Sequence, residues 1–381
     1  MIPYGLHTID DADVESVIEV LRNQFLTQGT VVPKFEQALC DYTGAKYAVA
    51  VNSATSGLHI ACLAAGVGRG DVVWTVPNSF VASANCARFC GADVDFVDIN
   101  AATRNIDVTA LAEKLLLAAE QNKLPKALIV VHFAGLSCDM QTIHKLISAY
   151  NIVLIEDAAH ALGGDYLGRK IGCCQYSAMT VLSFHPVKSI TTAEGGAVLT
   201  NNSAYFTKLQ LFAKHGVTRD PALMQGESDG PWYYQQVELG YNYRLSDLHA
   251  ALGITQLQKL DQFVAKRRLL AQRYKQQLAN LPLTLSCEDS YQHSAWHLYM
   301  VELKHHDRLH TYKRLHELGI GVNVHYIPIH LQPYYQTLGF KAGDFPVAEH
   351  FYQHALTLPL FPSMTQEQQN KVIAVLHEVL S

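Results

Sequence analysis

One lysine is distinguished by what its neighbours would do to it. Lys188 lies in Ser183–Gly196, reading SFHPVKSITTAEGG, between the apolar runs Met179–Leu182 and Ala197–Thr200. The pattern predicts a strand, an irregular loop carrying the lysine, and a second strand opened by Gly195 and Gly196. Phe184, Pro186, Val187 and Ile190 flank the lysine and would cover part of its stem. Burial lowers the pKa of an amine, and a partly neutral lysine attacks a carbonyl to form a Schiff base. A solvated loop lysine is the ordinary alternative, and this stretch alone does not decide between them. Asp157 follows the run Ile152–Ile155 with only Glu156 between. A carboxylate at the end of a buried strand is costly unless it meets a cation or strong donors. It either caps a helix starting near Ala158 or pairs a protonated pyridine nitrogen, which would make a cofactor ring an electron sink.

A third stretch, Asn52–Leu58 (NSATSGL), leads from a β-prone run, Tyr47–Val51, into an apolar helix, Leu58–Ala65. The first N–H groups of a helix are unpaired and sit at the positive end of its dipole, so such a junction can bind an anion. Ordinary N-capping by Ser or Thr is the simpler reading. Phe80, by spacing alone, reads as a core aromatic rather than a plate against a ring.

The elements that must hold these residues alternate regularly. Helical spacing marks Asp10–Phe25 and Val32–Tyr42, the second stopped at Gly44. Strands are then expected at Val72–Val76, Val94–Val97, Ala127–His132 and Ile152–Ile155. Between them fall the helices Ser79–Phe89, Val108–Ala119 and Met140–Tyr150. Short, fully apolar strands alternating with helices predict a mostly parallel sheet covered on both faces. Ligands of such sheets bind beyond the carboxyl ends of the strands. Ser53–Ser56, Asn78–Phe80, His132, Glu156–His160 and Ser183–Lys188 all fall there. Tyr205–Lys214 reads as a helix and Gly216–Pro231 as a loop. A long helix capped by Ser246 and Asp247 runs to about Asn280. Beyond it, strands at Leu298–Leu303 and Val322–Tyr326 alternate with helices at Leu309–Leu318, Ala348–Ala355 and Gln366–Leu380. The expected division is a large α/β unit, 1–245, and a smaller α+β unit, 246–381, begun by the long helix.

Composition excludes several classes. At 381 residues, 49% hydrophobic and 17% charged, the chain can bury a substantial core and is not a disordered one. A net charge of −5 leaves no basic field for nucleic acid. No apolar run reaches the ~20 residues of a membrane span, and MIPYGLHTIDDADVE has no apolar signal core. A cytoplasmic protein with its eight cysteines reduced is expected. There is no C-x-x-C pair, and His325 and His330 lack a third ligand in their motif, so no metal is expected. A nicotinamide enzyme is disfavoured by the lack of a G-x-G-x-x-G turn after the first strand.

In their order, seven stretches resemble the DegT-type sugar aminotransferases across essentially the whole chain. They are NSATSGL (52–58), GDVVWTVPNSFVASAN (70–85), VDI (97–99), EDAAHALGG (156–164), SFHPVKSITTAEGGAV (183–198), GYNYRLSDLHAALG (240–253) and VNVHYIPIH (322–330). The resemblance implies a pyridoxal-phosphate (PLP) enzyme of fold type I, the aspartate-aminotransferase fold. Lys188 would bind the cofactor as a Schiff base and then move protons. Asp157 would pair the pyridine nitrogen, Phe80 would stack on the ring, and His160 would lie near its phenolic oxygen. Ala54, Thr55 and Ser183 would hold the phosphate. Asn242 would reach it from the neighbouring subunit of a homodimer with shared active sites. Dehydratases of the family carry histidine at the lysine position, so Lys188 favours transamination. A non-catalytic regulator on this fold would lack the lysine or the carboxylate, and both are present.

Within the family, LTQG (26–29) and SFHPVKSITTAEGG are most similar to members of the pseudaminic-acid pathway. These aminate C4 of a UDP-linked 4-keto-6-deoxy-N-acetyl sugar with nitrogen from L-glutamate. That likeness would set Tyr4, Gln24, Phe25, Leu26, Thr27, Ser56, His185, His325 and Tyr326 along the sugar nucleotide. The SFH-x-x-K-x-I-T arrangement also resembles members that make 4-amino-4-deoxy-arabinose.

Overall fold

The computed structural model describes residues 1–288 and 291–381. The strand–helix alternation builds one seven-stranded sheet from β1 (Tyr47–Val51), β2 (Val72–Thr75), β3 (Asp93–Phe96), β4 (Ala127–Val131), β5 (Val153–Asp157), β6 (Met179–Ser183) and β7 (Gly196–Thr200). Their spatial order is β1-β7-β6-β5-β4-β2-β3. β3, β2, β4, β5 and β6 run parallel, and β7 alone is antiparallel to both its neighbours. A parallel pair needs a crossover helix, and none separates β6 from β7. The chain therefore turns back through Phe184–Gly195, and Lys188 rides on that turn.

The strands are apolar throughout because both faces are covered. Val49, Val51, Ile129, Ile155, Val181 and Val198 share one core with α3 (Ala54–Ala64) and α4 (Ala82–Phe89). On the opposite face, Ala48, Ala50, Leu182, Ala197 and Leu199 share another with α2 (Val31–Thr43). Trp74, Leu128, Val130 and Leu154 pack there with α5 (Val108–Glu120) and α6 (Met140–Ile147). The period-2 alternation of a strand thus serves two apolar faces at once.

α3 starts four residues earlier than its apolar spacing suggests. Ser53 has extended backbone and its hydroxyl accepts the Ser56 N–H, so the helix begins at Ala54. α4 begins at Ala82, three residues after the expected Ser79. No helix follows Asp157, which is the last residue of β5.

The long helix α8 (Asp247–Gln277) packs on α2 and on α1 (Asp11–Asn23), with α7 (Ser203–Ala213) preceding it in the chain. Ser246 caps it, as expected, by accepting the His249 N–H. Asp247 does not share that task. Its buried carboxylate accepts the N–H groups of Gly29, Val31 and Val32 at 2.8, 2.8 and 3.1 Å, and so caps α2 instead. Asp13 likewise crosses from α1 to α8, accepting from Thr255, Gln256 and Lys259.

After α8, β8 (Leu283–Leu285), β9 (Tyr299–Leu303) and β10 (Ala355–Leu358) form an antiparallel sheet in that order. It packs with α9 (Arg308–Glu317) and α11 (Gln366–Leu380), and α10 (Pro346–His354) leads into β10. The strand expected at Val322–Tyr326 does not form. Only Asn323 bridges, to Thr357 of β10, and the chain then leaves the sheet so that His325 and Tyr326 face a cavity.

Candidate active site

The carboxyl ends of β2, β5 and β6, with the start of β7, surround a cavity of about 320 Å³, within the range of small-molecule sites. Another cavity, beside Arg104 and Glu302, has room for only about 30 Å³, the share of a single water. The larger one is lined by Tyr4, Ala54, Thr55, Phe80, Asp157, His160, Ser183, His185, Lys188, His325 and Tyr326. Phe80 is 58% exposed and forms part of the wall, which corrects the core assignment that spacing alone suggests.

Lys188 is half-buried on the β6–β7 turn. Burial pushes its amine down from the usual 10.5 to about 8, with the nearby Asp157 charge pulling the other way. At neutral pH a useful fraction is therefore uncharged. Asp157 is held from two sides. Its Oδ2 accepts the Ser83 hydroxyl at 2.6 Å and its Oδ1 accepts the Ala159 N–H at 3.2 Å. Both partners are neutral donors, so the carboxylate is oriented without an ion pair.

The floor at α3 offers free backbone N–H groups at a helix N-terminus, which can receive an anion. Ser53 takes the Ser56 N–H and the Gly57 N–H, while Ala54 and Thr55, in the first turn, have no intrahelical acceptor for theirs. Gly196 makes the close approach possible. A Cβ there would lie 2.6 Å from the Ala54 nitrogen and 2.7 Å from the Ser53 carbonyl carbon.

His160 is neutral by geometry as well as by burial. His160 Nδ1 accepts the Ala134 N–H at 3.3 Å, which puts its proton on Nε2, donated to the Tyr326 hydroxyl oxygen at 3.2 Å. Burial holds its pKa well below the ordinary value. His325 Nε2 meets the Asn323 amide at 3.5 Å and its Nδ1 meets the Thr357 hydroxyl at 2.8 Å. Its pKa is pushed down to about 4, chiefly by burial. His297 lies against His160, ring centroids 4.4 Å apart, and is depressed for the same reason. Its loop is held from behind by the buried Arg267, which donates to the carbonyls of Trp296, His297 and Leu360. Gly135 lets that loop pass, since a Cβ there would sit 2.8 Å from the Trp296 nitrogen.

Some expected residues do not line this chain's own cavity. Gln24, Phe25, Leu26 and Thr27 are exposed on the link between α1 and α2. The Ser56 hydroxyl is turned to Asn52, at 2.6 Å. Asn242 bridges Lys214 through its backbone, and its carbonyl accepts from the Asn52 amide. Conversely, Ser83 and His297 carry no singular signal in the sequence. Ser83 is one more small residue in FVASAN, four after Ser79. His297 arrives from beyond α8.

The model of the DegT/DnrJ/EryC1/StrS aminotransferase family matches residues 7–377. The UDP-4-amino-4,6-dideoxy-N-acetyl-beta-L-altrosamine transaminase of Campylobacter jejuni is 38% identical over 387 aligned residues, covering 100% of this chain and 98% of that one. Among solved structures, Spr1654 from Streptococcus pneumoniae in its PMP form superposes with a TM-score of 0.91 at 29% identity, covering 100% of both chains. The same protein is known in a PLP form. PseC of Helicobacter pylori, an aminotransferase of pseudaminic-acid biosynthesis, gives 0.90 at 32% identity, covering 100% of this chain and 99% of that one. With a partly neutral lysine and a carboxylate lining one cavity beside the first turn of α3, and a match over nearly its whole length, the chain belongs to the DegT/DnrJ/EryC1/StrS family and is a PLP-dependent sugar aminotransferase.

Proposed function

We propose that the enzyme moves the amino group of L-glutamate to C4 of a UDP-linked 4-keto-6-deoxy-N-acetylhexose. The product would be UDP-4-amino-4,6-dideoxy-N-acetyl-beta-L-altrosamine. The observation that carries the transamination is the meeting of Lys188 and Asp157 in one cavity. What supports the sugar is the LTQG and SFHPVKSITTAEGG stretches and the full-length similarity to a transaminase of that name.

When bound, PLP supplies the electron sink that lets a proton leave one carbon and return to another. The chain does the rest. The N–H groups of Ala54 and Thr55 and the Ser183 hydroxyl receive the phosphate. Asp157 would pair the ring nitrogen, oriented by Ser83 and Ala159. Phe80 and His160, both in the cavity wall, would hold the ring. Lys188, partly neutral, would be the amine that holds the cofactor and the group that moves protons in its cavity. Tyr326 accepts from His160, so its own phenolic proton is available to an oxygen of the sugar. His185, His325 and Tyr4 complete the sugar wall. Gln24–Thr27 and Asn242 act in a homodimer, with Asn242 entering the partner's phosphate site. Phe25, 78% exposed in the single chain, is apolar surface that such an assembly would cover.

The test offers the purified enzyme PLP, L-glutamate and UDP-4-keto sugars of both C5 configurations, with products identified by mass and NMR. Amination of the L-configured sugar supports the proposal. Turnover of the D-configured sugar alone, or of a UDP-4-keto pentose, moves it to a bacillosamine, perosamine or 4-amino-4-deoxy-arabinose type. A chain that turns over none of them is not acting on this substrate class.

A further inference from the structure

Asp157 does not stand alone in the wall of the cavity. Behind it, two serines form a chain that the reaction as described does not use. Ser83, in α4, is fully buried and its hydroxyl donates to Asp157 Oδ2 at 2.6 Å. Its oxygen lies 2.7 Å from that of Ser79, which lines the cavity. A hydroxyl has one proton to give. A carboxylate can only accept, so Ser83 spends its proton on Asp157 and Ser79 must donate to Ser83. The direction of the whole chain is thereby determined: Ser79 to Ser83 to Asp157.

We propose that Ser83 is a positioning residue that sets the proton affinity of Asp157, with Ser79 polarising it from the cavity side. The inference rests on the pairing of Asp157 with the ring nitrogen of PLP. Hydrogen bonds to a charged carboxylate lower its basicity, and chained donors strengthen one another. A cationic donor in this place would cancel the charge that the ring nitrogen has to meet. Among the described residues Asp157 makes no ion pair, and its donors are the Ser83 hydroxyl and the Ala159 amide. The arrangement keeps a full negative charge, fixes its direction, and makes it a poor competitor for the shared proton. The proton therefore stays on the ring, and the ring stays electron-poor.

The readout is the pH midpoint of the colour change of the Lys188 adduct, followed by absorbance without substrate. An electron-poor ring lowers that midpoint. Ser83→Ala makes Asp157 more basic, draws the proton towards it, and raises the midpoint by roughly half to one pH unit. Ser83→Thr restores the hydroxyl and brings the midpoint back. Ser79→Ala raises it by less, in the same direction. A residue that only packs would lower the melting temperature and leave the midpoint in place. A well-folded Ser83→Ala enzyme with an unmoved midpoint therefore overturns the proposal. If Ser83→Ala does not fold, Ser79→Ala decides on the same criterion. Borohydride fixation in the wild type separates the two levels. No label on Lys188 sinks the cofactor reading itself, whereas a label with unmoved midpoints sinks only the serine chain.

Discussion

Lys188 yields a prediction whose size follows from burial. Enzyme freed of cofactor is mixed with PLP, and formation of the coloured adduct is timed by stopped-flow absorbance across pH. Attack requires the neutral amine. With its pKa lowered from 10.5 to about 8, about a tenth of Lys188 is neutral at pH 7. That is about 300-fold more than for an ordinary lysine. The rate should rise about tenfold per pH unit at first and level off above about pH 8. Asp157 opposes the effect of burial, so Asp157→Asn should move the midpoint lower still. A rate that keeps climbing through pH 10 in the wild type refutes the burial argument. The same shift has a stability consequence. The folded-state pKa lies below the unfolded value, so between about pH 8 and 10.5 the unfolded chain binds more protons than the folded one. Stability of the cofactor-free enzyme must then rise with pH across that window, by at most about 3 kcal/mol. Water reaching the half-buried amine offsets part of this. Lys188→Met removes that rise, and in thermal melts at pH 7 it should be more stable than the wild type.

Other outcomes follow from named contacts. Gly196→Ala drives a methyl group into the α3 N-terminus at Ala54; a cost of about 1–3 kcal/mol and at least tenfold weaker PLP binding are expected by calorimetry. Asp247→Ala strands three N–H groups at the start of α2 and should cost about 3 kcal/mol in urea unfolding, with Asp247→Asn milder; an unchanged midpoint would contradict the cap. Arg267→Met leaves three buried carbonyls unpaired behind His297, for a loss of about 3 kcal/mol or more. On the proposed homodimer with shared sites, mixing inactive Lys188→Ala and Asn242→Ala enzymes should restore activity, because each hybrid would contain one intact site. Failure of mixed, exchanged subunits to recover turnover would place Asn242 outside the partner's site.

The seven strands of the main sheet and the helices between them were legible because each strand is apolar on both faces and each helix has a spacing and a stop signal. Lys188 and Asp157 were legible for a related reason. A carboxylate at the end of an apolar strand, or a loop lysine flanked by apolar residues, is costly to bury, so its presence there asks for a partner. Boundaries were less so. α3 begins at Ala54 because a serine hydroxyl reached a backbone N–H, a contact that apolar spacing does not register. Asp247 looked like a cap for its own helix, yet the N–H groups it serves come more than two hundred residues earlier in the chain. Phe80 is as apolar as any core residue; spacing alone assigned it to the core, while the family likeness set it against the ring, and the cavity wall holds it.

By itself, then, the order of residues determined the sheet, its binding edge and the two groups whose chemistry needs burial, since those depend on periodicity and on the cost of local charge. The tertiary structure alone decided which neutral donors meet Asp157, that His160 holds a single tautomer, and that His297 joins the cavity from beyond α8. Those facts depend on distances of a few ångströms between segments far apart in the chain, and such distances exist only once the cores on both faces of the sheet have closed.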